Sequence, residues 1–234
     1  MIKKMPVESN RQTTIILLVT PFLLAFYRYF GMPANYDQLL SGRFSGAYLS
    51  GFYRDFFNFF MAFILLFLIP ALIIKLVFKE KLRAYGFARG DLRLGIKLII
   101  ISLPLIVISG WASARRLDFQ KEYSAFKINP LTLKAIIIYA LAFFFYYFAF
   151  EFFFRGFLLQ GLKPAFGSLN ALLIQTIPCC LVHLGKPVSE VFASIVASLL
   201  FGYFVLRTRS LWYIIIIHWL VGVCLNIFIG LTLN

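Results

Sequence analysis

Residues 139–162 read YALAFFFYYFAFEFFFRGFLLQGL. The run is long enough to cross a hydrocarbon core, which takes about 20 helical residues. Two charges, Glu151 and Arg155, stand inside it. A charge near the middle of a membrane helix costs about 2.5–3.5 kcal/mol on insertion scales. The two are four residues apart, so they share a helix face, with the acid on the N-terminal side in the favourable order. Tyr147 lies one turn earlier on that face. The arrangement predicts a buried ion pair inside a membrane helix.

The rest of the chain agrees with a lipid surrounding. Of 234 residues, 62% are hydrophobic and 14% charged, with 29 Phe and 12 Tyr. Soluble domains run at roughly 45–50% apolar and 25% charged, and a single soluble core of this size could not hide so much apolar surface. Seven apolar stretches are expected to span, at about 13–30, 55–78, 95–113, 133–158, 166–184, 190–206 and 211–232. The sixth is short and polar at its start, which leaves a tilted or half re-entrant segment open. The fold class is an all-α multi-pass bundle, read as one membrane domain: 1–94 holds two spans with their connecting segments, and 95–234 the core. Residues 36–54 (YDQLLSGRFSGAYLSGFYR) read as an interfacial segment. The first stretch is read as a membrane helix, not a removed signal peptide, since no small-residue cleavage site follows it.

Lys plus Arg number 23 and Asp plus Glu 9, a net +14. The cations lie between apolar runs and not on a continuous face, so the expected partner is anionic headgroups, not nucleic acid. Their distribution (Lys3, Lys4, Arg11, then Lys79, Lys81, Arg83, Arg89 and Arg93) favours a cytoplasmic N-terminus in a cell membrane. Three cysteines inside apolar runs do not form a disulfide framework.

Two further stretches carry polar stripes. In LLIQTIPCCLVHLGKP (172–187), Gln175, Cys179 and His183 recur every four residues. In LWYIIIIHWLVGVCLNIF (211–228), His218, Gly222 and Asn226 do the same. The chain's two histidines therefore both lie on polar faces of apolar helices, and are expected to point into one cavity. Ser194, Ser198 and Gly202 form a small-residue packing stripe. Glu190, seven residues after His183 and beyond the turn Gly185-Lys186-Pro187, is placed to fold back toward the imidazole.

Glu-x-x-x-Arg-Gly, then His, then His, in FEFFFRGFL, CCLVHLGKP and RTRSLWYIIIIHW, resembles the CAAX prenyl protease type II and bacteriocin-processing (CPBP) family of intramembrane proteases. The resemblance covers about residues 130–232, and KEKLRAYGFARGDLRLG (79–95) resembles the basic segment preceding that core. It implies an endopeptidase acting on a peptide or membrane protein. It implies Glu151, Glu190, His183 and His218 as catalytic candidates, with Arg155 and Asn226 supporting. His183, His218 and Glu151 would be ligands for zinc or another divalent metal, or the histidines would stabilise an oxyanion. H-E-x-x-H is absent, so any such set comes from three helices. Three positions depart from the family pattern: Phe150 for a leading glutamate, Cys179 for a phenylalanine, and Gly222 for an amide or acid.

A phenyl ring takes up no proton, so another group must act as base. Arg155 stabilises the charge on Glu151 and makes it an anchor. Glu190 has no basic partner on its own face, and Lys186 reads as solvated, so Glu190 is the expected base. In a straight-helix reading Glu151 is mid-span and His183 ends its run, at different depths. A catalytically inactive, peptide-binding relative is the alternative, and a small transporter the third reading.

Overall fold

The computed structural model describes residues 7–33, 36, 50–123 and 132–233, and among these there is no strand. Six helices are long and apolar enough to cross a membrane. They are α1 (Arg11–Gly31), α2 (Tyr53–Phe78), α3 (Leu92–Ala114), α5 (Ile136–Leu181), α6 (Val188–Thr208) and α7 (Trp212–Leu233), with a short α4 (Leu117–Glu122) after α3. The expected all-α multi-pass bundle is therefore observed. The sixth expected stretch is a full-length helix of 21 residues, α6. Residues 37–49, most of the expected interfacial segment, lie outside the described residues.

The fourth and fifth expected stretches belong to one element, α5, of 46 residues. Straight, it would measure about 69 Å, more than twice a hydrocarbon core of about 30 Å. It bends at Gly167, whose φ of 75° and ψ of 168° lie in a region essentially reserved for glycine. The two arms then fold onto each other. Leu159 and Leu172, one from each arm, both border Gly202 of α6, and Arg155 stands beside Cys179. Glu151 precedes the bend by 16 residues (167 − 151) and His183 follows it by 16 (183 − 167). The bend therefore sets both at the same level of the bundle, and the expected mismatch in depth disappears. Residues Phe152–Gln160 adopt π-helical turns, a wide form frequent at functional sites.

One continuous core joins both parts of the chain: Ile16, Leu66, Phe152, Phe153, Phe154 and Ile214 are fully buried in it. Leu18, Phe22, Ile108, Leu141, Phe192 and Val196 are exposed on the outside, as a surface facing lipid requires. The basic segment after α2 is strapped beneath the ends of α6 and α7. Leu211 N–H donates to Gly86 O at 2.9 Å, Asp91 N–H to Thr208 O at 2.8 Å, and Tyr213 Oη to Arg89 O at 2.6 Å. Asp91 then caps α3 by accepting from Leu94 N–H, satisfying a donor that the helix start leaves open.

Candidate active site

Glu151 is fully buried and Arg155 is 1% exposed. Their closest approaches are 3.4 Å, Arg155 Nη1 to Oε1 and Nε to Oε2. The expected pair is present, but Nε and Oε2 face each other without the alignment of a hydrogen bond. The short bond of Glu151 goes elsewhere: His218 Nδ1 lies 2.5 Å from Oε1. A carboxylate only accepts, so Nδ1 carries the proton and Nε2 is the free ring nitrogen. The carboxylate thus stands behind the imidazole and fixes its orientation.

His183 is held the same way by another group. Its Nδ1–H donates to Cys179 O at 2.7 Å, one turn back, again leaving Nε2 free. His183 sits in the turn between α5 and α6. Burial there, with Lys186 nearby, pushes its pKa down to about 4, so the ring is neutral near pH 7. Phe150 packs edge-on against both imidazoles, with ring centroids 5.9 Å from His183 and 5.6 Å from His218. The two histidines converge on one place, as expected.

They line a cavity of about 340 Å³ together with Tyr147, Phe150, Glu190 and Gly222. Its outer wall is made of small residues, Gly110 and Ser113 on α3, Ala193 and Ala197 on α6. A smaller, more polar chamber of about 120 Å³ shares Tyr147, His183, Glu190 and His218 and extends to Asp55, Glu122 and Lys186.

Glu190 is on this wall but is not the unpaired carboxylate the sequence suggested. Lys186 Nζ lies 3.0 Å from its Oε1, Tyr123 Oη donates to the same oxygen at 2.6 Å, and Lys186 also donates to Tyr123 at 2.9 Å. Lys186 is 20% exposed. Lys186 falls four residues before Glu190, in the turn, and the turn brings it onto the face of α6 that carries the acid. Burial raises the pKa of Tyr123, with Lys186 opposing and Glu190 adding to the rise, so its hydroxyl stays protonated as a donor. The reason for choosing Glu190 as base therefore fails.

The three proposed metal ligands do not fit a metal. Glu151 lies behind His218 on Nδ1, not beside Nε2. Among the described residues no three His, Cys, Asp or Glu side chains are grouped to hold an ion, and Cys180 with His183 gains no third ligand. Asn226 is buried and donates to Gly222 O at 2.9 Å within its own helix; it supports α7 and does not reach the cavity. Gln175 and Ser198 bond each other at 3.1 Å, while Gly202 lets Leu172 approach. Those stripes are packing. Tyr123 was missed as a site residue because no spacing links it to the motifs, and Lys186, inside CCLVHLGKP and four residues before Glu190, because it reads as solvated. Tyr147, one turn before Glu151, carried a legible signal.

Residues 132–224 match the family model of the type II CAAX prenyl endopeptidase, Rce1-like. All three stretches that carried the resemblance lie inside this segment, which is less than half of the chain. No curated protein and no solved structure matches the chain. The segment is similar to that family; what this chain's own residues do rests on the geometry above.

Proposed function

We propose that the chain is an intramembrane endopeptidase in which the Glu151–His218 pair acts as the base. The observation that supports this is the 2.5 Å contact between Glu151 Oε1 and His218 Nδ1, with His218 on the wall of the cavity. A carboxylate behind an imidazole holds one tautomer and stabilises the imidazolium that forms when Nε2 takes a proton. Water held at His218 Nε2 gives its proton there as its oxygen attacks the scissile carbonyl. The imidazolium then returns that proton to the leaving amine as the C–N bond breaks. Neutral His183, with Nε2 free, accepts the other hydrogen of the water and orients it. Phe150 supplies no chemistry and packs against both rings.

The small residues on the outer wall leave room for an apolar segment of substrate. The family's description names prenyl substrates, and a peptide carrying an apolar group suits this lining. The N-terminus is assigned to the cytoplasmic side of the cell membrane, with anionic headgroups against the basic segments. Reporter fusions after Arg93 and after Lys127 are then expected on opposite sides; the same side for both defeats that topology.

The test of function uses the full chain in nanodiscs with a mixed set of quenched-fluorescence peptides. Wild type is expected to cleave. His218→Gln is expected to lose about 100- to 10,000-fold in kcat, the range for a general base, and Glu190→Gln less than tenfold. The reverse order returns the base to Glu190. Phe150 favours a second reading, an inactive relative that binds peptide. Binding without cleavage, and cleavage appearing only in Phe150→Glu, would establish that reading instead.

A further inference from the structure

The base needs a partner that holds the charge appearing on the carbonyl oxygen, and the two histidines cannot supply it while each has its single N–H turned away. His183 donates to Cys179 O and His218 to Glu151. Asn226, on the same helix face, has its amide engaged on Gly222 O. Lys186 and Tyr123 are engaged with Glu190.

Tyr147 is different. Its side chain is 7% exposed, and its ring lies against His218 with centroids 4.4 Å apart and against Phe143 at 4.6 Å. It borders both the apolar cavity and the polar chamber. Tyr85, Tyr123, Tyr139 and Tyr213 all direct their hydroxyls to protein acceptors. The Tyr147 hydroxyl has no such acceptor among the described residues, and it is not one of the sealed, unpartnered atoms of the core. A buried donor without a protein acceptor is costly unless something else accepts from it.

Gly222 explains how the hydroxyl reaches this position. A Cβ added at residue 222 would run into Tyr147 Oη and the edge of Phe143. Gly222 follows His218 by one helical turn, so the hydroxyl fills the space just past the imidazole on the same face. Any side chain at 222 would push it out.

We propose that Tyr147 is a catalytic residue: its hydroxyl, admitted by Gly222, donates the hydrogen bond that holds the oxyanion. The role rests on the reading of the site as a peptidase. As the water oxygen bonds to the carbonyl carbon, the carbonyl π pair moves to oxygen. Tyr147 Oη–H donates to that oxygen without releasing its proton, which remains on the phenol when the C–N bond breaks.

The experiment takes Tyr147→Phe, Gly222→Ala and Tyr147→Phe/Gly222→Ala in the full chain, with the same quenched peptides and a melting curve for each. Tyr147→Phe is expected to lose about 100-fold in kcat, the low end for one oxyanion donor. Its KM should stay within about twofold and its melting temperature unchanged, because the hydroxyl has no protein partner to lose. A packing role would move KM and melting temperature together. Gly222→Ala is expected to lose the same activity and also melt lower, and the double variant, which lacks the hydroxyl nearest the new Cβ, to recover part of the melting temperature but not the activity. Tyr147→Phe keeping kcat within threefold while His218→Gln loses it overturns this proposal alone. Equal melting losses in Gly222→Ala and the double variant overturn the steric link. A wild type that cleaves nothing overturns the peptidase reading and this proposal with it.

Discussion

Arg155→Ala is expected to destabilise the protein by about 3–5 kcal/mol, the usual cost of removing one partner of a buried ion pair. Glu151 has no exposure and Arg155 1%, so no water replaces the guanidinium. The remaining carboxylate keeps only His218 as a partner at hydrogen-bond distance, and its Oε2 already lacks one. The guanidinium also lies 5.8 Å from the ring centroids of Phe154 and Phe201, so truncation opens a void between α5 and α6. Melting in detergent and folded yield in the membrane measure the effect. Arg155→Lys should recover part of it, because charge is kept while the planar fork is lost. Wild-type melting in Arg155→Ala would show that the 3.4 Å approach carries no energy.

Glu151→Gln is expected to be the most damaging single change at the site, affecting both fold and activity. The amide is neutral, so Arg155 is left buried without a counter-charge. Its NH2 group can also donate to His218 Nδ1, which drives the ring to the tautomer with its proton on Nε2. That tautomer cannot take a proton from water. Loss of a backing carboxylate with geometry intact costs about 10,000-fold in a serine-protease triad, and a loss of at least about 1,000-fold in kcat is expected here. Melting and kcat, both measured on Glu151→Gln and on Glu151→Asp, separate the two effects. Near-wild-type turnover in Glu151→Gln would remove Glu151 from the mechanism and leave it as an anchor for Arg155.

The sequence by itself determined the solvent, the fold class and the central residues of the candidate site. Composition and run length require lipid and helices, because apolar area of that amount has no other place to go. A charge in a membrane helix is too costly to be incidental, so Glu151 and Arg155 stood out, and so did two histidines on polar stripes. The motifs around them carried a resemblance, and the family model matches over residues 132–224. Those inferences follow from covalent spacing along one helix, where i and i+4 are neighbours by construction.

Only the tertiary structure decided which groups meet across helices, since that depends on bend and rotation that spacing does not encode. The bend at Gly167 made one element of two and brought Glu151 level with His183. The rotation of α7 against α5 put His218 Nδ1 on Glu151, so the carboxylate stands behind the imidazole and not beside its free nitrogen. The turn before α6 carried Lys186 back onto Glu190, and so a carboxylate that looked free is paired. Gly222 looked like the loss of a polar residue. In space it is the gap that admits the hydroxyl of Tyr147, because a missing side chain on one helix is room for a side chain from another.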